Sequence, residues 1–186
     1  ADDWVRRLDE DQIDRYAVAF DAIVAAATAH GRSRSDLVCE VLSTQPLPLQ
    51  RVLARHGLGR FRVLQKASLD DRGDVYRPEN ALPEDWVMLG THDTRPIWAV
   101  IQAWTAETRA RWTGHLSELL RLAPPDRAAL TSRAGRLPAA MLASLLASRA
   151  ENVMVFFTDL FGFDESYNAP GTVSASNWTL RLPPTF

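Results

Sequence analysis

Three apolar runs in this chain lead into carboxylates. Leu37-Val38-Cys39 is followed by Glu40, Trp86–Leu89 by Gly90-Thr91-His92-Asp93, and Val153–Phe157 by Thr158-Asp159. If the runs are strands of a parallel sheet, these residues stand at the carboxyl ends, where α/β folds place their active sites. Carboxyl groups at neighbouring strand ends point to glycosyl chemistry. One gives and takes a proton, and another stabilises or captures an oxocarbenium-like centre. Each residue also has a plainer reading. Glu40 fits a solvated strand end, and Asp93 fits a helix N-cap with Pro96 near the first position of the helix that follows. Asn168-Ala169-Pro170-Gly171-Thr172 fits a tight turn, and Asn177-Trp178 a packing anchor. Cys39 reads as a small core residue.

Composition narrows the classes. A single cysteine excludes a disulfide scaffold and a multi-cysteine metal site. The four histidines lack metal-ligand spacing, so no metal is expected. Gly57-Leu58-Gly59 follows a helical stretch and not a strand, so it is no phosphate-binding fingerprint. With 21 basic and 23 acidic side chains the net charge is -2, which argues against nucleic acid as a partner. The opening Ala1-Asp2-Asp3-Trp4 lacks a signal-peptide pattern, and no apolar run approaches the roughly 20 residues that span a bilayer. A soluble cytoplasmic protein without membrane partners is the expectation. The hydrophobic share of 46% supplies a real core.

Periodicity supplies the elements that would position these groups. Gln12–Ala29 carries Ile13, Tyr16, Ala17, Phe20, Ile23 and Val24 on one helical face, with a stop at His30-Gly31. Leu49–His56 reads as a helix ending at Gly57. Arg62–Gln65 reads as a strand, and Lys66–Asp85 as a long loop of the kind that is often functional. Ile97–Leu122 reads as one helix broken by Pro124-Pro125, with further helices near Asp126–Ala134 and Pro138–Arg149. From Gly162 onward the composition is that of an ordered loop. Strands alternating with helices indicate βαβ units and a parallel sheet. Four such units are half of an eight-stranded barrel, which typically takes about 250 residues.

Taken together, several segments resemble the carboxyl-terminal half of the 4-α-glucanotransferases, the amylomaltase or disproportionating-enzyme family of glycoside hydrolases. They are Leu37-Val-Cys-Glu40-Val-Leu-Ser, Gly59-Arg-Phe-Arg-Val-Leu-Gln65, Pro78-Glu-Asn80, Gly90-Thr-His-Asp93, and Asn168-Ala-Pro-Gly-Thr172 followed by Asn177-Trp-Thr-Leu-Arg181. They occur in the family's order. The resemblance implies that residues 1–186 form a single fragment, the half of a (β/α)8 barrel equivalent to strands five to eight, working by a retaining mechanism on maltooligosaccharides or α-glucans with no organic cofactor. Glu40 matches the general acid/base at the end of the fifth strand. Asp93 matches the transition-state-stabilising carboxylate at the end of the seventh, and His92 the histidine that bonds the same sugar. Asn168, Pro170 and Gly171 match a loop lining the cleft. The family's nucleophilic Asp has no match here, because Asp2, Asp3, Asp9, Asp11, Asp14 and Asp21 lie in or before a helical pattern. The fragment is therefore expected to be inactive without the missing amino-terminal half.

Two departures bear on specificity. The family's Glu-Asp-Leu-Gly is here Glu40-Val41-Leu42-Ser43, and its His-Asp-Asn is here His92-Asp93-Thr94-Arg95. Arg95 either adds a hydroxyl donor near the cleft or covers the start of the following helix. The rival to an enzyme fragment is a non-catalytic carbohydrate-binding or assembly half-barrel. Either would leave strand edges and an apolar inner face open. The isolated chain is therefore expected to self-associate, most simply as a two-fold dimer through those edges. Sedimentation at micromolar concentration checks this; a monomer of 20.8 kDa that does not dimerise on concentration rules it out.

Overall fold

A computed structural model describes residues 5–42 and 45–184. The described elements run α1 (Glu10–Ala29), α2 (Leu47–His56), β1 (Phe61–Val63), β2 (Trp86–Met88), α3 (Ile97–Ala103), α4 (Ala106–Leu119), α5 (Pro124–Ser132), α6 (Leu137–Leu146), β3 (Asn152–Met154) and α7 (Phe157–Phe161). The backbone divides into two compact units. One comprises Ala1–Phe61, Leu82–Trp86 and Ala150–Asn152; the other comprises Arg62–Ala81, Val87–Arg149 and Val153–Phe186.

In the first unit, Asp9 starts α1 with a reciprocal capping box. Its carboxylate accepts from Gln12 N at 2.8 Å, and its own N–H donates to Gln12 Oε1 at 3.0 Å. Charged groups join α1 to α2. Arg55 lies 2.5 Å from Asp14, and His56 Nε2 lies 2.7 Å from Asp21. The apolar face expected on α1 is largely open: only Ala17 is buried, while Tyr16 and Ile23 are exposed. Asp9, Asp11, Asp14 and Asp21 thus occupy a helix or its cap, as the spacing indicated; Asp2 and Asp3 lie outside the described residues.

The three strands form one sheet in the order β1-β2-β3. Trp86 N donates to Arg60 O at 2.9 Å and Gln65 N to Leu89 O at 3.2 Å, so β1 and β2 ascend together and the pairing is parallel. Phe61, Arg62 and Val63 are all buried, as are Val87, Met88 and Leu89, the near-continuous burial that parallel strands require. Only the first residue of each strand is counted with the first unit.

Four of the expected elements are corrected. Leu37–Cys39 is not a strand: Leu37 has extended angles, but the segment forms no ladder among the described residues, and Val38 is exposed. Extended backbone becomes a strand only when a neighbour takes its hydrogen bonds. The run Val153–Phe157 pairs only as far as Met154, which is 38% exposed at the sheet's edge, and Phe157 already begins α7. The helix expected over Ile97–Leu122 is two helices. Trp104 turns extended, and Thr105 caps α4 by accepting from Thr108 N at 3.1 Å. Pro124-Pro125 opens α5, because its first turn needs no N–H donors there.

The second unit carries most of the core. Val63, Leu64, Val87, Met88 and Leu89 of the strand region and Ile97, Leu116, Leu137, Met141 and Leu145 of the helices are buried. The Lys66–Ala81 part of the long connection is braced from within. Asp74 accepts from Ser68 N at 3.0 Å and Tyr76 N at 2.7 Å, and Asn80 donates to the carbonyls of Arg72 and Asp74. Arg77 is buried on Glu79, whose Oε1 also lies 3.4 Å from His115 Nε2; burial pushes the His115 pKa down.

Within the first unit, backbone packs directly on backbone at Gly59. A Cβ there would overlap the Glu84 carbonyl and stand 2.6 Å from Asp85 Cα. Neither backbone can yield without disturbing Asp85, whose buried carboxylate accepts from Arg60 N at 3.0 Å and Leu82 N at 2.8 Å. Gly59→Ala is expected to cost about 2–3 kcal/mol, in the range of overpacking substitutions. Urea unfolding of the two proteins checks it; equal midpoints would show that the chains separate freely there.

Candidate active site

β2 continues through buried Leu89 and Gly90 into a tight turn, Thr91-His92-Asp93-Thr94. Thr94 N donates to Thr91 O at 3.1 Å. The Thr94 hydroxyl closes the turn from inside: its Oγ1 accepts from Thr91 N at 2.8 Å and donates to Thr91 O at 2.9 Å. Gln65, just past β1, adds an Nε2 donor to the same oxygen at 2.6 Å. Space around this network is minimal. A Cβ on Gly90 would overlap Gln65 Nε2 and stand 2.6 Å from Thr94 Oγ1, so any larger residue would displace the Gln65 side chain from this network.

The turn leaves His92 and Asp93 at the surface, each side chain 39% exposed. Asp93 Oδ1 lies 3.4 Å from His92 Nε2 and accepts from Asn168 Nδ2 at 2.6 Å. Asn168 N in turn donates to His92 O at 3.2 Å, so one residue of the tail grips the turn by backbone and side chain together. The His92 ring meets Trp178 at 5.1 Å and Phe156 at 6.4 Å between centroids. Tyr167 links that pair, edge-on to both Phe156 and Trp178.

The tail is held by local chemistry. In Ala169-Pro170-Gly171-Thr172, Thr172 N donates to Ala169 O at 3.2 Å, and Gly171 takes the positive φ of 74° that the third position of a type II turn needs. Asn177 braces it, donating to Thr172 O at 3.1 Å and accepting from Ala169 N at 3.4 Å. Trp178 is left-handed at φ 66°, a costly angle for so large a residue. Its N–H donates to Tyr167 O and its carbonyl accepts from Arg181 Nη1, both at 2.9 Å.

The structure thus brings His92, Asp93 and Asn168 together in the second unit, with Pro170 and Gly171 in the turn just after Asn168. Arg95 is exposed and directs Nη2 to Ala99 O at 3.4 Å, the helix-covering alternative. Glu40 belongs to the first unit, exposed and on backbone that joins no strand among the described residues, and so not at a strand end as expected. Ser43 of its segment lies outside the described residues. Asp93 does not cap the following helix. Pro96 occupies the cap position of α3, and the N–H of Ile97 donates instead to Asp159 Oδ1 at 2.6 Å. Asp159 is 5% exposed, and burial pushes its pKa up to about 6. In the sequence Asp159 stands after an apolar run with no task of its own, and Trp178 reads as a packing anchor within a family-matching segment. Gln65 stood within a matching segment with no role. Among the described residues no group of His, Cys, Asp and Glu gathers to hold a metal ion, and no helix is long and apolar enough to cross a membrane.

The glycoside hydrolase family 77 model, described as 4-alpha-glucanotransferase, matches residues 4–185. The chain belongs to the 4-alpha-glucanotransferase family. No curated protein gives a significant match. Among solved structures, amylomaltase from Streptococcus agalactiae in complex with acarbose superimposes with a TM-score of 0.64 at 22% identity, over 80% of this chain and 28% of that one. Amylomaltase from Corynebacterium glutamicum gives 0.48 at 20% identity, over 80% of this chain and 24% of that one. The first likeness shows the fold alone: this glucanotransferase-family chain is an α/β structure resembling part of an amylomaltase. It spans about 28% of the length of that relative.

The pKa of Asp159 gives a pH expectation for this family member. Its folded pKa lies above the ordinary 3.8, so the proton is held more tightly in the folded state. The contribution is full below about pH 4 and is lost as pH rises through 6, a change on the order of 3 kcal/mol for this buried group. Asp159→Asn is expected to remove that loss. Urea unfolding at pH 4 to 7 should show the wild type falling relative to the variant across the window. A constant difference would show that Asp159 ionises as it does in the unfolded chain.

Proposed function

We propose that this chain supplies the carboxyl-terminal half of the catalytic barrel of a 4-α-glucanotransferase acting on α-1,4-glucans with retention. In this reading a nucleophilic Asp from outside residues 1–186 forms the glycosyl ester. Glu40 protonates the leaving 4-oxygen and then deprotonates the 4-hydroxyl of the acceptor. Asp93 stabilises the oxocarbenium-like centre, and His92 bonds the same sugar. Asn168, Pro170 and Gly171 line the cleft beside it.

The observation that carries the reading is the Asn168–Asp93 contact at 2.6 Å. It joins two of the segments that resemble the family, Gly90–Asp93 and Asn168–Thr172, the second being part of the most specific block. A neutral amide donor on Oδ1 holds the carboxylate in one orientation at the surface. Acarbose in the Streptococcus agalactiae relative is consistent with a glucan-shaped ligand for this family's fold.

Pure 186-residue protein is expected to produce no glucose or longer maltodextrins from maltotriose, because no covalent intermediate can form without the nucleophile. With the amino-terminal half of a family barrel supplied in trans, disproportionation is expected to appear. Glu40→Gln should then lower it by about 10²–10⁴-fold, the worth of a positioned general acid/base. Asp93→Asn should lower it by about 10²–10³-fold, the scale of removing one electrostatic stabiliser. Turnover by the chain alone, or full activity in either variant of the complemented protein, defeats the assignment. Glucan binding with no transfer after complementation would favour the carbohydrate-binding module instead.

A further inference from the structure

Asp159 touches the backbone on both sides of the His92–Asp93 turn. Its carboxylate accepts from Ile97 N at 2.6 Å, immediately after the turn, and its Oδ2 lies against Gly90, immediately before it, where the Gly90 N–H helps to hold down the carboxyl pKa. Neither donor has a partner within a strand or helix: Gly90 lies past the end of β2, and Ile97 is the first residue of α3, whose cap residue Pro96 has no side-chain acceptor. Both residues are buried, Ile97 completely, so an unmet N–H there could not turn to water.

The carboxylate is itself fixed. Asp159 N donates to Phe156 O at 3.0 Å, and Trp98 Nε1 donates to Asp159 O at 2.8 Å, tying α7 to α3. The missing Cβ at Gly90 completes the arrangement, since Asp159 Oδ2 would stand 3.2 Å from it. One buried group therefore sets the spacing between the two ends of the loop that carries His92 and Asp93. The remaining restraints are Thr94, which shapes the turn from within, and Asn168, which holds it from the tail.

We propose that Asp159 is a positioning residue that clamps the Gly90–Ile97 segment at both ends and thereby sets where Asp93 presents its carboxylate. The significance for transfer rests on the reading of Asp93 given above, but the clamp itself does not. Its test uses no glucan, so a failure of the clamp and a failure of the glucanotransferase assignment are separate results.

The experiment is amide hydrogen exchange by NMR on the full chain, above the pH range in which Asp159 titrates, for wild type, Asp159→Ala and Asp159→Asn. In Asp159→Ala, protection at Gly90, Ile97, Thr94 and Asn168 is expected to fall at least tenfold, while Leu116 and Ser117 of α4 keep theirs. The Asn168 side-chain amide and the His92 ring signals should shift in the same variant. Asp159→Asn, which retains one carbonyl acceptor, should keep protection at one of Gly90 and Ile97 and lose it at the other; it serves alone if the alanine variant does not fold. Unchanged protection across the turn overturns the proposal. So does an equal loss in the turn and in α4, which would make Asp159 a source of general stability only.

Discussion

Buried backbone donors at the carboxyl end of β2 are the constraint around which this site is built. A strand that stops and a helix that starts within a few residues both leave N–H groups without intra-element partners. At Ile97 this group is buried, and its acceptor is a carboxylate 62 residues further along the chain, which also packs against the buried Gly90. Burying that carboxylate is itself unfavourable, which is why its pKa rises to about 6; the two N–H donors only partly offset the desolvation. The cost is tolerable because the alternative is an unmet donor at Ile97 in the core.

The same crowding explains why the exposed groups are well placed. Gln65, Thr94 and Asp159 fill the space that a side chain on residue 90 would need. With the strand end packed on three sides, the turn can project His92 and Asp93 outward only over a narrow range. The tail then adds its own contacts through Asn168, Tyr167 and Trp178, and holds Trp178 in a left-handed conformation to do so. The turn is thus packed from beneath and hydrogen-bonded to the tail.

Family membership and fold agree on different grounds. The family model runs through nearly the whole chain, whereas the structural likeness at 22% identity reflects how the backbone is laid out. Conserving a backbone at that identity is physically reasonable. Parallel strands need only apolar side chains on both faces, and many sequences meet that requirement.

Much of this protein was legible from residue types and short spacings, because the signals are local. Asp9 and Gln12 start α1, Gly57 ends α2, and Pro170-Gly171 makes a turn, each through bonds within a few residues. The buried strands at Phe61–Val63 and Trp86–Met88 announce themselves by apolar runs, and His92-Asp93 by its position after one of them. What depended on distant partners was not legible. Leu37–Cys39 has a strand's composition, but composition cannot supply a neighbour for its ladder. Trp104 interrupts a continuous helical pattern, where it stacks on Trp112 at 5.6 Å. Asp159 resembles any acidic residue after a strand until Gly90 and Ile97 are brought against it. Local sequence determined where the carboxylates fall along the chain, while only tertiary packing decided which is buried to hold the turn and which is left facing solvent, because desolvation and partner supply are properties of the folded surroundings.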